Sequence, residues 1–339
     1  TVFRDQQFSG DMRSHAVKRI DDVLALRARQ FREDQGPLAH PVRPDSYIEI
    51  NNFYTATIYE KGAEIIGMLK RLVGDEGYAR ALDLYFARHD GEAATIEDWL
   101  TVFEEATGRD LAQFKRWYTE AGTPRLTVSE DWDGETFALT LEQHLPPTPG
   151  QPDKGAKVIP VAVGLLNPNG DEVVPTQVLE LTEARQTFRF GGLAARPVAS
   201  ILRGFSAPVV LDRAVPAAER AFLLAHDTDP FNRWEAGRAL AKEVMAEMIR
   251  AGAPVSADWL DGLARLAVED GLDPAFRALA LRLPGEDDMA AMLAGAGHVP
   301  DPEAIHAARG RMADALARRL SGALPQLMSE MTVEGPFAP

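Results

Sequence analysis

Cysteine is absent from all 339 residues, which excludes disulfides, thiolate metal ligands and a cysteine nucleophile. Long apolar runs are missing too; none approaches the roughly 20 residues of a membrane-spanning helix. Positive charge is scarce: 36 Lys and Arg stand against 51 Asp and Glu, a formal net charge of -15. No basic stripe of the kind that neutralises phosphates is visible, so neither a nucleic acid nor a membrane is expected as partner. No GxxxxGK(S/T), GxGxxG or GxSxG pattern occurs, and with them go the phosphate-cradling loops and the serine elbow. His15, His40, His89, His144, His226, His298 and His306 include no pair at i, i+4 and no HExxH. Zinc needs three or four converging ligands, so no metal ligand is assigned within the chain.

What is present is ordinary globular composition, 45% apolar and 26% charged, at a length that calls for two or three domains. The N-terminus, TVFRDQQF, has no initiator Met, no basic n-region and no apolar h-region. It is not a signal peptide, and with the missing cysteines this fits the cytoplasm. Both ends read as the interior of something longer.

The apolar period divides the chain into three. Residues 1–123 are expected to be helical, with Val17, Ile20, Val23 and Leu24 at helical spacing. RPDSYIEINN (43–52) reads as a Pro-bounded extended stretch. A helix follows to about Gly74, a plausible C-terminal stop after Lys70 and Arg71. A separate helix is expected over 75–88. Thr95 and Asp98 form a capping box before Trp99, Leu100, Val102 and Phe103, and a last helix over 110–120 ends at Gly122 and Pro124. Residues 124–213 change to short strands, with hairpin signals at Asp133-Gly134 and Asn169-Gly170 and further strands at 187–190 and 201–211. At least six strands make a small β-sandwich, and PPTPGQPDKG (146–155) is a loop within it. Residues 214–339 return to Ala- and Leu-rich helices near 216–226, 231–250, 256–270, 274–282, 286–294 and 301–321, an antiparallel or solenoid arrangement. The fold class is mostly α with a β-sandwich.

NNFYTATIYEKGAEIIGMLKRLVG (51–74) poses the functional question. Tyr59, Glu60 and Lys61 interrupt an apolar helix near its start. At 100° per residue, Tyr59 falls close to the stripe Gly62, Ile66, Leu69 and Val73, the position of a core tyrosine whose hydroxyl needs a partner. Glu60 projects off the stripe, toward solvent or a cleft. Asn51 and Asn52 suit a helix start. His40, in LAHPVRP, suits a loop-holding role. Core packing with polar tips and one wall of an active site both fit these residues.

TVFRDQQF (1–8), AHPVRPD (39–45), NNFYTATIYEKGAE (51–64), YFARHDGEAAT (85–95) and FKRWYTEAGTP (114–124) resemble the bacterial aminopeptidase N family, zinc metalloaminopeptidases of the gluzincin class. The likeness continues through FSAPVVL (205–211), DPFNRWEAG (229–237) and LPGEDDMA (283–290), in order and nearly end to end. The resemblance implies the C-terminal half of a thermolysin-like catalytic domain, then a small β-sandwich, then the start of a C-terminal helical superhelix that is truncated here. It implies that Tyr59 donates to the oxyanion of the transition state and that Glu60 lies near the substrate's α-amine. It further implies that Asn51 and Tyr54 line the substrate cleft and that Asp5 partners a zinc-bound histidine.

The departure from the family is as informative. Its zinc is held by the two histidines of HExxH and a downstream glutamate, expected just before TVFRDQ. Zinc is thus the cofactor expected of the intact enzyme, with its ligands and the general base outside this chain. The chain is expected to be inactive alone. Its expected partners are peptide substrates and the missing N-terminal part of the same polypeptide. Without that part, uncovered helix faces are expected to drive association. The competing reading is a non-catalytic scaffold of helices and β-sandwich that binds a partner.

Overall fold

Helices open the chain where apolar spacing and caps call for them. The computed structural model describes residues 1–332 and 335. Its first compact unit, Thr1–Ala214, begins with α1 (Val2–Met12) and α2 (His15–Ala25), and Ser14 starts α2 by accepting the Val17 amide. Ile20 and Val23 are fully buried. α2 runs through a π-helical turn, Leu26–Gln30, into α3 (Phe31–Asp34). A second π-helical turn, Thr57–Lys61, leads into α4 (Gly62–His89). α5 (Ile96–Thr107) starts at the expected capping box: Thr95 Oγ1 accepts the Asp98 amide at 3.2 Å, and Asp98 Oδ2 accepts the Thr95 amide at 2.8 Å.

Three local expectations are corrected. The extended stretch expected over 43–52 does not reach its end: Glu49 is extended, but the chain then enters a 3-10 turn, Ile50–Phe53. The break expected at Gly74 is present: its φ of 72° and ψ of 168° are non-helical and open to glycine, so α4 is two helices joined across a kink. The 110–120 helix shrinks to α6 (Arg116–Thr119), because carboxylates of Glu104 and Asp110 take the Leu111 and Ala112 amides. The 201–211 strand is strand only at its ends. Between them Leu202 and Phe205 adopt φ of 62° and 49°, and Arg19 draws the Gly204 and Phe205 carbonyls toward α2.

The strands of the same unit are β1 (Arg125–Trp132), β2 (Phe137–His144), β3 (Ile159–Leu166), β4 (Glu172–Leu181), β5 (Arg185–Phe190), β6 (Val198–Ile201) and β7 (Val210–Asp212). They form one sheet in the order β5-β2-β1-β7 and a second in the order β4-β3-β6. Both hairpins turn where Asp-Gly and Asn-Gly stand, with β1 against β2 and β3 against β4 antiparallel. β3 is buried along its whole length and touches α4, so it reads as a continuous apolar run rather than an alternating one. Gly164 in its middle is required by close approach: a Cβ there would stand 2.2 Å from the Arg203 guanidinium. The helices are riveted to the sandwich by polar contacts at the crossover. Trp117 Nε1 donates to the Val158 carbonyl at 2.7 Å, and Lys157 Nζ reaches Glu120 at 2.9 Å and the Arg116 carbonyl at 2.8 Å.

The second unit, Val215–Pro339, is helical: α7 (Ala217–His226), α8 (Pro230–Ala251), α9 (Ala257–Val268), α10 (Pro274–Ala280), α11 (Glu286–Gly295), α12 (Pro302–Leu320) and α13 (Leu324–Met331). Asp229, Ser256, Asp273 and Asp301 cap α8, α9, α10 and α12 through their side chains, and proline opens three of these helices. Each cap satisfies amides that the first turn leaves unpaired, and proline costs nothing there. Phe231, Trp234, Trp259, Leu263 and Phe276 fill the interior.

Candidate active site

The turn that carries Tyr59 is π-helical: the Gly62 amide bonds to the Thr57 carbonyl five residues back. Tyr59 is 44% exposed, which corrects the expectation of a core tyrosine. Near its start the stripe faces a pocket, through Gly62 and Ile66, while its member Leu69 is fully buried. Tyr59, Gly62, Ala63 and Ile66 line one wall of a cavity of about 440 Å³. The face of α4 packed in the interior is the neighbouring one, Ile65, Met68, Leu69 and Leu72. A helix can bury one stripe in the core and present the next to a cleft, and periodicity alone does not tell them apart.

The opposite pocket walls come from Val2 and Phe3 of α1, Val42, Arg43 and Phe53, Tyr85 of α4, and Ile96 and Trp99 of α5, with Tyr118 beneath. The lining is mainly apolar. Among its residues, Arg43 Nε, the Trp99 indole N–H and the Tyr118 hydroxyl are buried without a well-formed hydrogen bond. Burial pushes the Tyr118 phenol well above its ordinary range, with Trp99 partly opposing this.

Tyr54 is 58% exposed and stacks on Tyr59, with ring centroids 6.3 Å apart and planes at 26°. Phe53 and Tyr47 extend the aromatic row edge-to-face at 6.0 Å each. Asn51 lies exposed in the preceding 3-10 turn. Its neighbour Asn52 has the capping role expected, accepting the Glu49 amide at 3.2 Å. His40 holds the approach to the Tyr59 turn, with Nε2 2.9 Å from Thr55 Oγ1. The structure thus brings Tyr54 and Tyr59 together, with Asn51 just before them in the chain. Glu60 follows Tyr59 half-buried, with no partner for its carboxylate among the described residues, and it does not line the pocket. Asp5 is exposed on α1, 4.0 Å from Lys18 Nζ, and meets none of the other expected site residues.

Sequence reading missed the groups behind Tyr59. Lys61 is 1% exposed, and its Nζ donates to Asp34 Oδ2 at 2.7 Å and to the Gly122 carbonyl at 3.1 Å. Asp34 also accepts from the Gly122 amide at 2.7 Å and the Thr123 hydroxyl at 3.0 Å. Burial alone would raise the Asp34 carboxyl, but Lys61 and the Gly122 amide hold it below its ordinary 3.8. Glu33 accepts the Thr57 amide at 2.8 Å, and Gln30 reaches the Thr57 hydroxyl at 3.3 Å. The signal available was a lysine inside an apolar run. Its partner, 27 positions earlier, carries no mark in the sequence.

Among the described residues no three of His, Asp and Glu converge as a metal site. The donor set of this chain therefore does not fit the zinc that the family resemblance implies.

Three family models match the chain in succession: the peptidase family M1 domain over residues 1–118, a domain of unknown function (DUF3458) with an Ig-like fold over 122–214, and its companion of ARM repeats over 217–339. Aminopeptidase N of Caulobacter vibrioides is 50% identical over all of this chain, and that of Escherichia coli 41% identical over 96% of it. The chain spans 39% and 38% of the lengths of these two relatives. The crystal structure of Legionella pneumophila aminopeptidase A in complex with aspartic acid aligns with the whole chain at a TM-score of 0.80 and 25% identity, over 37% of that protein. Part of a peptidase domain, an Ig-like domain and ARM repeats thus follow one another in a single chain, whose residues 1–118 belong to the peptidase M1 family.

Proposed function

We propose that this chain forms the oxyanion-donor side of an aminopeptidase site whose metal ligands and general base lie elsewhere in a longer polypeptide. The observation that carries this reading is Tyr59. Its ring is half exposed at a pocket rim, and its hydroxyl has no partner among the described residues. A phenol keeps its proton at neutral pH and can donate to an oxygen that gains charge as a peptide carbonyl is attacked. A donor aimed at that oxygen, and not at the ground-state carbonyl, lowers the barrier. Glu60, with an unpartnered carboxylate, is assigned to the cationic α-amine of the substrate, where charge pairing selects free N-termini. Tyr54 and Asn51 are assigned to the cleft wall. Asp5 is assigned a supporting role toward a metal-bound histidine of the longer polypeptide, and its exposure leaves it open to such a partner.

Among the described residues none make a zinc site. Peptides as substrates, cleavage of their N-terminal residue and action in cytoplasmic peptide breakdown belong to the same proposal and rest on the M1 relatives. The amino acid bound in the Legionella structure is of the chemical class such a reaction releases. A pure scaffold has no use for an unpartnered phenol at a pocket rim, which weighs against the non-catalytic reading.

The test is Tyr59→Phe in a full-length enzyme carrying this sequence. The expected result is a fall in kcat of about 10²–10³ with KM little changed. An unchanged kcat would overturn the proposal. The 339-residue chain alone is expected to hydrolyse no aminoacyl arylamide, and turnover with stoichiometric zinc in a pure sample would contradict that.

A further inference from the structure

Residues 57 and 61 lie on the inner side of the π-turn, and Tyr59, midway between them, points the other way. Both inner positions are tied to the segment 30–34. At one end Thr57 gives its amide to Glu33 at 2.8 Å and receives Gln30 at 3.3 Å. At the other, Lys61 meets Asp34 at 2.7 Å, and Asp34 is itself fixed by Gly122 and Thr123 where the helices cross to the sandwich. Two consecutive carboxylates therefore bracket one turn of helix, with Tyr59 at its centre.

The energetics argue that this bracket is more than ballast. A π-turn has weaker local geometry than an α-turn and persists where surrounding contacts hold it. A buried ion pair is poor at adding stability compared with apolar groups of the same size; its best-attested use is to specify one arrangement over another. Here the arrangement specified is a π-turn rather than an α-turn. An α-turn advances about 100° per residue, a π-turn less, so relaxation of residues 57–61 would rotate Tyr59 about the helix axis and pull it from Tyr54.

We infer that the Lys61–Asp34 pair, with Glu33 at the other end, is a positioning device that sets the direction of the Tyr59 hydroxyl. The catalytic consequence rests on the role proposed for Tyr59; the positioning itself does not. Asp34 and Lys61 do not line the Tyr59 pocket and are positioning residues only.

The experiment is ¹⁹F NMR of the chain labelled with fluorotyrosine, which has six tyrosines; Tyr59→Phe identifies the Tyr59 line. In Lys61→Met, which keeps length and removes charge, the Tyr59 and Tyr54 lines are expected to shift or broaden while that of Tyr78, further along α4, stays. A lower melting temperature with an unmoved Tyr59 line would overturn the inference, because a stability role alone gives that result. Glu33→Ala releases the opposite end and gives the same displacement if the lysine variant does not fold. In the full-length enzyme, Lys61→Met is expected to lower kcat about 10-fold to 100-fold, the order of loss for a misplaced catalytic group, and to add nothing in a Tyr59→Phe background. If Tyr59→Phe leaves kcat unchanged while the NMR displacement is seen, the oxyanion role fails and the positioning stands.

Discussion

Two helical regions of this protein are built on opposite principles. In the second unit, α8, α9, α10 and α12 start at side-chain caps, and large apolar residues fill the interior. Around Tyr59, the π-turns 26–30 and 57–61 have no side-chain cap, and Gln30, Asp34, Thr57 and Lys61 are buried together. The first region obeys rules that act within a few residues. The second is held by contacts between positions about 30 to 90 apart. A site that must aim one hydroxyl gains from such contacts, since packing of apolar groups alone tolerates small rotations.

The comparison breaks most sharply at the buried pair. Asp34→Asn strands the Lys61 charge and is expected to cost the first unit about 3–5 kcal/mol, read by urea denaturation, while amide exchange in α8 and α9 is unchanged. The wild-type carboxyl is held below its ordinary value. Its contribution is thus present at neutral pH and is lost as pH falls from the unfolded value of about 3.8 through the lowered folded one. Equal exchange losses in both units would remove the distinction.

Lys157 sharpens the contrast, because burial brings it down to about 8 against the ordinary 10.5, the Glu120 carboxylate opposing the drop. Between those values the unfolded chain holds more protons, so this group's contribution to stability rises with pH. The gain of wild type over Lys157→Met is expected to grow by about 3 kcal/mol from pH 7.5 to 10.5, checked by denaturation at each pH. A gap that is flat or shrinks would show that the buried lysine does not titrate there.

A cap variant should have a smaller and local effect. Asp301 Oδ1 accepts the Glu303 and Ala304 amides, and Asp301→Ala is expected to cost about 1 kcal/mol, visible as faster exchange in the first turn of α12 alone. Smallest of all, Tyr59→Phe is expected to change stability by no more than about 0.5 kcal/mol, because the lost hydroxyl has no partner to leave behind. A larger loss in thermal unfolding would mean that the hydroxyl is structural.

Much of the fold was legible in sequence because the signals were short-ranged. The Thr95–Asp98 box and the hairpin turns at Gly134 and Gly170 each act over four residues or fewer, and the structure shows all of them. Errors fell where distant groups decide. Arg19 bends the chain at Gly204 from 185 positions away; the helix before α6 is the exception, shortened by carboxylates seven and two positions off. The Tyr59 stripe was found but given the wrong neighbour, since a helical wheel does not say which of two adjacent faces meets the core.

The sequence by itself determined the alternation of helix, strand and helix, the caps and turns, the absence of a local metal motif and the likeness to M1 peptidases. All of these are properties of residue type at short spacing. Only the tertiary structure decided that Tyr59 stands half exposed at a pocket, that Lys61 is buried, and that Glu33 and Asp34 hold the turn between them. Hydrogen bonds and ion pairs between segments depend on which groups folding brings within about 3 Å, and no local pattern encodes that meeting.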